Sequence, residues 1–264
     1  MFWKPDVDLY PTFLRSRVRR GKGIGKGLGY KPWYKTSDVP SHGTSSCVLG
    51  IQVDRHYDLL SELEVTYFFL LERRQGVLDI REQFPILDIP RTLELCSQLN
   101  VQHKYVGIYP EPFTIDFIVT ENIDGKVSHR AASIKSAADA QDPAVRQRLA
   151  VEKMWCQEKG IQWSLVDTSQ FSKTLLENLR FIRAWFLHRY KPEDAEIAQF
   201  LNMFSAQYSK SMTLNAIIAA TARAINRDEA VTLDMFRYCA WRNFIHVSLS
   251  SSVALNRPLI LVQK

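Results

Sequence analysis

Two alternating runs separated by Asp124-Gly125 constrain the folding of this chain more than any other feature. Phe113, Ile115, Phe117 and Val119 alternate with Thr114, Asp116, Ile118 and Thr120, and a second extended run covers Ser128 to Lys135. That period of two is the period of a strand. Asp-Gly between such runs predicts a two-residue hairpin, whose turn positions need a left-handed backbone that aspartate tolerates and glycine adopts freely. A turn this tight also fixes register, so facing residues carry numbers that add to 249, the sum of the two turn positions. Asp116 then faces Ser133. Lys135 faces Thr114 and is diagonal to Asp116 on one sheet face, at roughly 7–8 Å between backbones, within reach of a long side chain.

A third polar residue joins these. Leu60, Leu63, Tyr67, Phe68 and Leu71 recur at helical spacing and predict an amphipathic helix over 58–74. Residues three and four apart share a face, so Glu64 lies between Leu60 and Phe68 on the apolar side, while Glu62 points away. A carboxylate there needs an arginine at the core edge or a metal ion, because unpaired buried charge is costly. Asp116 and Lys135 shift the weight to the second reading. Carboxylates hold a hard divalent cation such as Mg²⁺, and a neighbouring lysine steadies an attacking water or the charge developing on phosphorus. Phosphodiester hydrolysis fits this set best.

Other chemistries lack their parts. The chain has no Gly-x-Ser-x-Gly elbow, no His-Glu-x-x-His and no cysteine beside a suitable histidine; His42, His56, His103, His129, His188 and His246 read as structural or surface residues. Cys47, Cys96, Cys156 and Cys239 are too scattered for a zinc knuckle or a disulfide framework. No apolar stretch approaches the roughly 18 residues of a membrane span, and the start lacks a signal peptide's apolar region, so a cytoplasmic protein without membrane contact is expected.

The basic character is local. Arg15, Arg17, Arg19, Arg20, Lys22, Lys26, Lys31 and Lys35 occur without an acidic residue between them, giving this segment +8 against +6 for the whole chain and leaving −2 (6 − 8) elsewhere. A glycine-punctuated basic arm of this kind suits a phosphate backbone, and Arg15, Arg17, Arg19, Arg20, Lys22, Lys26 and Lys31 are its candidate DNA contacts. Its glycines match neither the P-loop spacing nor the dinucleotide fingerprint.

Along the chain, the pattern predicts the Glu64 helix, a strand near 77–84, a short helix near 92–99, the Asp116 and Lys135 strands, a helix over 143–159 and a strand over 161–166. This is an α/β core with a mixed sheet. Gln147, Arg148, Glu152 and Lys153 on the crossover helix over 143–159 read as a solvated face that could assist the site. From about residue 170 helices are expected over 173–189, 192–204, 213–225 and 232–241, followed by apolar runs at 244–249 and 258–262. Helices closed by a terminal hairpin resemble a winged helix. Arg223, Arg227, Arg237 and Arg242 are candidate phosphate contacts there. A length of 264 residues accommodates a basic arm (1–40), a catalytic domain (41–169) and a C-terminal domain (170–264).

A helix-borne glutamate, an aspartate and a strand ending in x-x-Lys together resemble the restriction-endonuclease-like nuclease core. Longer words are more specific: Leu59-Leu-Ser-Glu-Leu-Glu64, Val77-Leu-Asp-Ile-Arg-Glu-Gln-Phe-Pro-Ile-Leu87, and Arg19-Arg-Gly-Lys-Gly-Ile-Gly-Lys-Gly27 leading to Pro32-Trp33. These resemble the TnsA family, endonuclease subunits of heteromeric Tn-seven-type cut-and-paste transposases, over about residues 15–170. The resemblance implies that Glu64, Asp116 and Lys135 are catalytic. It also implies that Glu64, Asp116, weakly Ser133, and the backbone of Ile134 hold Mg²⁺, with Mn²⁺ able to substitute. Such a subunit nicks the 5′ strands at double-stranded transposon ends, alongside a TnsB-like DDE transposase and a TnsC-like AAA+ ATPase that meets its C-terminal domain. Ser133 departs from the pattern, since the nuclease superfamily usually has a carboxylate there. A stand-alone restriction or repair nuclease and a noncatalytic DNA-binding adaptor are the alternatives.

Overall fold

A computed structural model describes residues 10–38 and 45–262, and the chain divides into two units at Gln170/Phe171. His42 and the expected boundary after residue 40 lie outside the described residues.

The N-terminal unit begins with helix α1 (Thr12–Arg19) and short 3₁₀ turns at Gly27–Gly29 and Thr36–Asp38. Strands β1 (Ser46–Leu49) and β2 (His56–Leu59) pair antiparallel ahead of helix α2 (Glu62–Glu72). The helix therefore starts four residues later than its apolar spacing suggests. Ser61 is extended and its hydroxyl accepts from the Glu64 amide at 3.2 Å, an N-terminal cap that Ser-x-x-Glu spells out. There follow β3 (Val77–Pro85), α3 (Ile89–Leu99), the short hairpin β4 (Tyr105–Val106) and β5 (Tyr109–Pro110), β6 (Thr114–Ile123), β7 (Lys126–Ile134), α4 (Pro143–Glu158) and β8 (Gln162–Val166).

The main sheet runs β3-β6-β7-β8, antiparallel except for the parallel β7–β8 pair. The β6–β7 register is the one the turn dictates, from Ile123↔Lys126 to Phe117↔Ala132, with Asp124 and Gly125 at φ 51° and 79°. A parallel neighbour requires a crossover, which α4 supplies. Its first turn is set by Pro143 and by the Asp142 carboxylate, which accepts from the amides of Ala144 and Val145. Adjacent strand residues point to opposite faces, so the sheet is covered on both sides. Ile118 and Ala131 share a core with Val151 and Trp155 of α4 and Leu95 of α3, while Phe117 meets Tyr67 of α2 at 5.5 Å between rings.

The basic segment differs from the expected arm. Leu14 and Val18 of α1 pack with Tyr10 and Trp33 against Leu87 and Ile89, and Tyr30 enters the main core. Burying these side chains holds the segment on the N-terminal unit, as about 25 cal/mol per Å² of apolar surface favours. Gly23 sits at φ 73°, and a Cβ there would lie 2.1 Å from the Pro85 ring. Gly23→Ala should therefore cost roughly 2–5 kcal/mol in urea unfolding and expose Arg19 and Arg20 to faster tryptic cleavage.

The second unit is mainly helical: α5 (Lys173–Arg183) running into a 3₁₀ turn at Ala184–His188, then α6 (Asp194–Gln207), α7 (Leu214–Ile225) and α8 (Glu229–Trp241). The expected single helix over 173–189 tightens at Ala184. The two terminal apolar runs meet only through an isolated antiparallel bridge, Val247↔Leu261, and a second bridge joins Thr213 to Pro258. Among the described residues the expected terminal hairpin is reduced to these single bridges after the helices. Arg227 and Arg237, candidate phosphate contacts, are paired inside the unit with Glu196 at 2.8 Å and Asp234 at 3.0 Å. No described helix is long and apolar enough to cross a membrane.

Candidate active site

The end of the β6–β7 hairpin brings Asp116 and Lys135 together. Asp116 Oδ2 accepts from the Lys135 ammonium at 2.9 Å and from the Ile134 amide at 2.6 Å. The ammonium also donates to the Ile134 carbonyl at 2.8 Å, and Thr168 Oγ1 donates to the Lys135 carbonyl at 2.8 Å. Burial works against the Lys135 charge, but Asp116 beside it more than offsets this, so its pKa is raised and it stays cationic.

Glu64 arrives from α2, as its apolar-face position requires. It is 7% exposed, and its Oε2 accepts from the Leu60 amide at 3.0 Å and from Gln83 Nε2 at 3.2 Å. Burial, and then the Asp116 charge, push its pKa up to about 7. Gln83 was not anticipated. The β3–β6 register pairs Glu82 with Phe117 and Phe84 with Ile115, so Gln83 falls opposite Asp116, and its backbone is left-handed, at φ 46°. A strained residue of this sort marks a place where surrounding structure overrides local preference.

Glu152 overturns the expectation of a solvated helix face. Gln147, Arg148 and Lys153 are exposed, but Glu152 is 3% exposed and accepts from Ser133 Oγ at 2.6 Å. Burial first, then Asp116, raise its pKa to about 7. Leu149, Glu152 and Cys156 are spaced by three and four and all buried, so the face argument applied to Glu64 would have found it. Ser133 also accepts from Trp163 Nε1 at 3.2 Å. Its hydroxyl is engaged in joining Glu152 to the sheet, which leaves it a poor metal ligand.

A cavity of about 140 Å³ opens onto this group, lined among others by Asp116, Lys135, Arg148 and Glu152. Carboxylates disfavoured by burial and by one another form a hard-oxygen donor set, and a divalent cation would relieve that repulsion. The residues fit such an ion. Among the described residues no three His, Cys, Asp or Glu side chains are grouped to hold one alone, so water and backbone oxygens would complete its shell.

The basic residues are distributed differently. Arg17 stacks over Trp33 at 5.0 Å and lies 3.5 Å from Glu111, and Lys22 pairs with Asp38 at 3.1 Å. Arg15 bonds the Tyr10 carbonyl. Arg19, Arg20, Lys26 and Lys31 are exposed. Packing thus uses some of the charge and leaves the rest on the surface.

A mixed sheet carrying Asp116 and Lys135 at one hairpin end, faced by a helix-borne glutamate, defines the restriction-endonuclease-like fold. Within that class, residues 74–168 match the TnsA-like endonuclease N-terminal family, a span that includes Asp116, Ser133, Lys135 and Glu152. The chain is also 32% identical over 169 residues to the Transposon Tn7 transposition protein TnsA of Escherichia coli, covering 64% of this chain and 61% of that protein. Residues 74–168 are thus similar to the TnsA-like endonuclease family, and the chain spans about three-fifths of the length of the curated relative it matches.

Proposed function

We propose that this chain is the endonuclease subunit of a cut-and-paste DNA transposase, hydrolysing the 5′ strands at transposon ends. The observation that carries the reading is the junction of the Asp116–Lys135 pair with two buried carboxylates, Glu64 and Glu152, on a nuclease fold. Mg²⁺ bound there, or Mn²⁺ in its place, supplies Lewis acidity toward a phosphodiester oxygen. Glu64 and Asp116 would hold the ion, and the Ile134 carbonyl, which accepts from Lys135 at 2.8 Å, lies beside them. Lys135 faces the attacking water or the negative charge developing on phosphorus, and the Ile134 amide and Lys135 ammonium keep Asp116 oriented. Glu152, hydrogen-bonded to Ser133, supplies beside Asp116 the carboxylate that position 133 lacks.

The partners in this reading are transposon-end DNA, a DDE-type transposase that cuts and joins the 3′ strands, and an AAA+ ATPase regulator, all in the cytoplasm. The exposed cations Arg19, Arg20, Lys26 and Lys31 follow the phosphate backbone. Strand-resolved cleavage of labelled transposon-end DNA in Mg²⁺, with and without the cognate transposase and ATPase, tests the proposal. Partner-dependent 5′ nicking supports it. Cutting without partners points instead to a stand-alone nuclease, and no 5′ cutting in the complete system to a noncatalytic adaptor.

Glu152→Gln keeps the bulk and the Ser133 contact but removes the charge. It should lower 5′ cleavage roughly 10- to 100-fold, as loss of a supporting carboxylate does, while leaving the thermal midpoint unchanged or higher. Unaltered cleavage would assign Glu152 to structure alone.

A further inference from the structure

A second and larger space adjoins the site. A cleft of about 840 Å³ opens next to the 140 Å³ cavity, and the two share Thr114 and Arg148. It is far roomier than a metal ion and a water require. Its outer wall is the segment leading into the β4–β5 hairpin, where Lys104 and Tyr105 line it.

The chemistry of this wall is specific. Tyr105 is 51% exposed, and it is supported from behind by rings: His103 meets it edge-on at 5.8 Å and meets buried Phe113 edge-on at 5.1 Å. Val106 and Ile108, 42% and 81% exposed, extend the apolar surface along the hairpin tip. Arg148 is exposed, with its guanidinium 5.7 Å from the Phe113 ring and no ion pair among the described residues. The two carboxylates on the cleft do not oppose an anion freely. Asp38 is paired with Lys22 at 3.1 Å, and Glu111 Oε1 accepts from Trp33 Nε1 at 3.0 Å and from the Tyr34 hydroxyl at 2.7 Å. A fixed aromatic face, a guanidinium without an ion pair among the described residues and continuity with the catalytic cavity are thus found together.

Resting on the nuclease reading above, we infer that this cleft is a nucleotide subsite for the cleaved strand, taking one unstacked nucleotide next to the scissile phosphate. The strand whose phosphate reaches Asp116 must place its neighbouring nucleotide in adjoining space, and this cleft is contiguous. Arg148, at the boundary of the two spaces, holds the flanking phosphate as a charge-assisted contact. Tyr105 stacks on the base. Unstacking a base from duplex DNA costs a few kcal/mol, and stacking on an aromatic side chain returns a comparable amount with little regard to sequence.

The test uses the full chain in Ca²⁺ and a six-residue oligothymidylate carrying a fluorophore and one 4-thiothymidine for photocrosslinking. Crosslinks should map to residues 102–105. Tyr105→Ala and Arg148→Met should each weaken binding about tenfold, Tyr105→Phe should retain it, and Lys153→Met, exposed on the same helix, should not change it. Crosslinks elsewhere, or loss at Arg148 without loss at Tyr105, would overturn the subsite. The two readings fail separately. Transposon-end cleavage that Tyr105→Ala and Arg148→Met leave unchanged sinks the subsite and spares the nuclease. Crosslinking in the cleft that responds to both variants, without Mg²⁺-dependent cleavage by the assembled complex, supports the subsite as a strand-binding site and sinks the nuclease.

Discussion

Lys135→Ala is expected to reduce 5′-strand cleavage by at least about 10²-fold while the partner transposase continues to join 3′ ends. The ammonium lies 2.9 Å from Asp116 and its side chain is only 30% exposed, so in a site of low dielectric its charge acts strongly on whatever forms beside it. Asp116→Ala should be at least as severe, because it removes a donor to the ion and frees Lys135 and the Ile134 amide to reorient. Fold loss is not the expected cause. Lys135 sits one residue beyond β7, and the Phe117↔Ala132 register behind it does not depend on its side chain. The decisive measurement resolves the two strands: loss confined to 5′ ends supports a catalytic role. Equal loss of 5′ cleavage and 3′ joining would mean that Lys135 holds the complex together rather than serving its chemistry.

The largest effect on stability is expected at Arg55. Its guanidinium donates to Glu82 Oε1 at 2.8 Å and to the Ile80 carbonyl at 2.8 Å, and it lies 3.7 Å from the Tyr57 ring. Glu82 is fully buried. Arg55→Met would strand that carboxylate, and breaking a buried pair from one side costs about 3–5 kcal/mol. The unfolding midpoint should fall by roughly 6–20 °C. Arg55→Met combined with Glu82→Leu should recover most of the loss, because the apolar pair leaves no uncompensated charge. A double variant no more stable than the single one would show that the guanidinium matters for packing rather than for pairing. Gln83 follows Glu82 on β3 and bonds Glu64, so the single variant should also lower cleavage by more than its folded fraction explains.

Local information was sufficient for the hairpin. Asp124-Gly125 fixed the β6–β7 register to the residue, since a two-residue turn leaves no slack and a slip of one would invert every side chain. It likewise placed Glu64 on a buried face and gave α4 its start at Pro143. Apolar spacing continues through Leu60, but α2 starts only at Glu62 because the extended Ser61 caps it there. Glu152 was legible in principle, sharing its face with Leu149 and Cys156, but a helix rich in charge reads as solvated until a sheet covers it.

Sequence by itself therefore determined the strand register, the helix-borne glutamate, the Asp116–Lys135 pairing and the family likeness, all of which rest on short-range geometry and on words in the chain. Tertiary structure alone decided the rest. It drew Glu152 against Ser133 from 19 residues away, forced Gln83 into a left-handed backbone opposite Asp116, and folded the basic segment onto Leu87 and Ile89. Each depends on which surfaces meet when the sheet and helices close over a common core, and burial there outweighs the local preference of a glycine-rich basic stretch to remain in water.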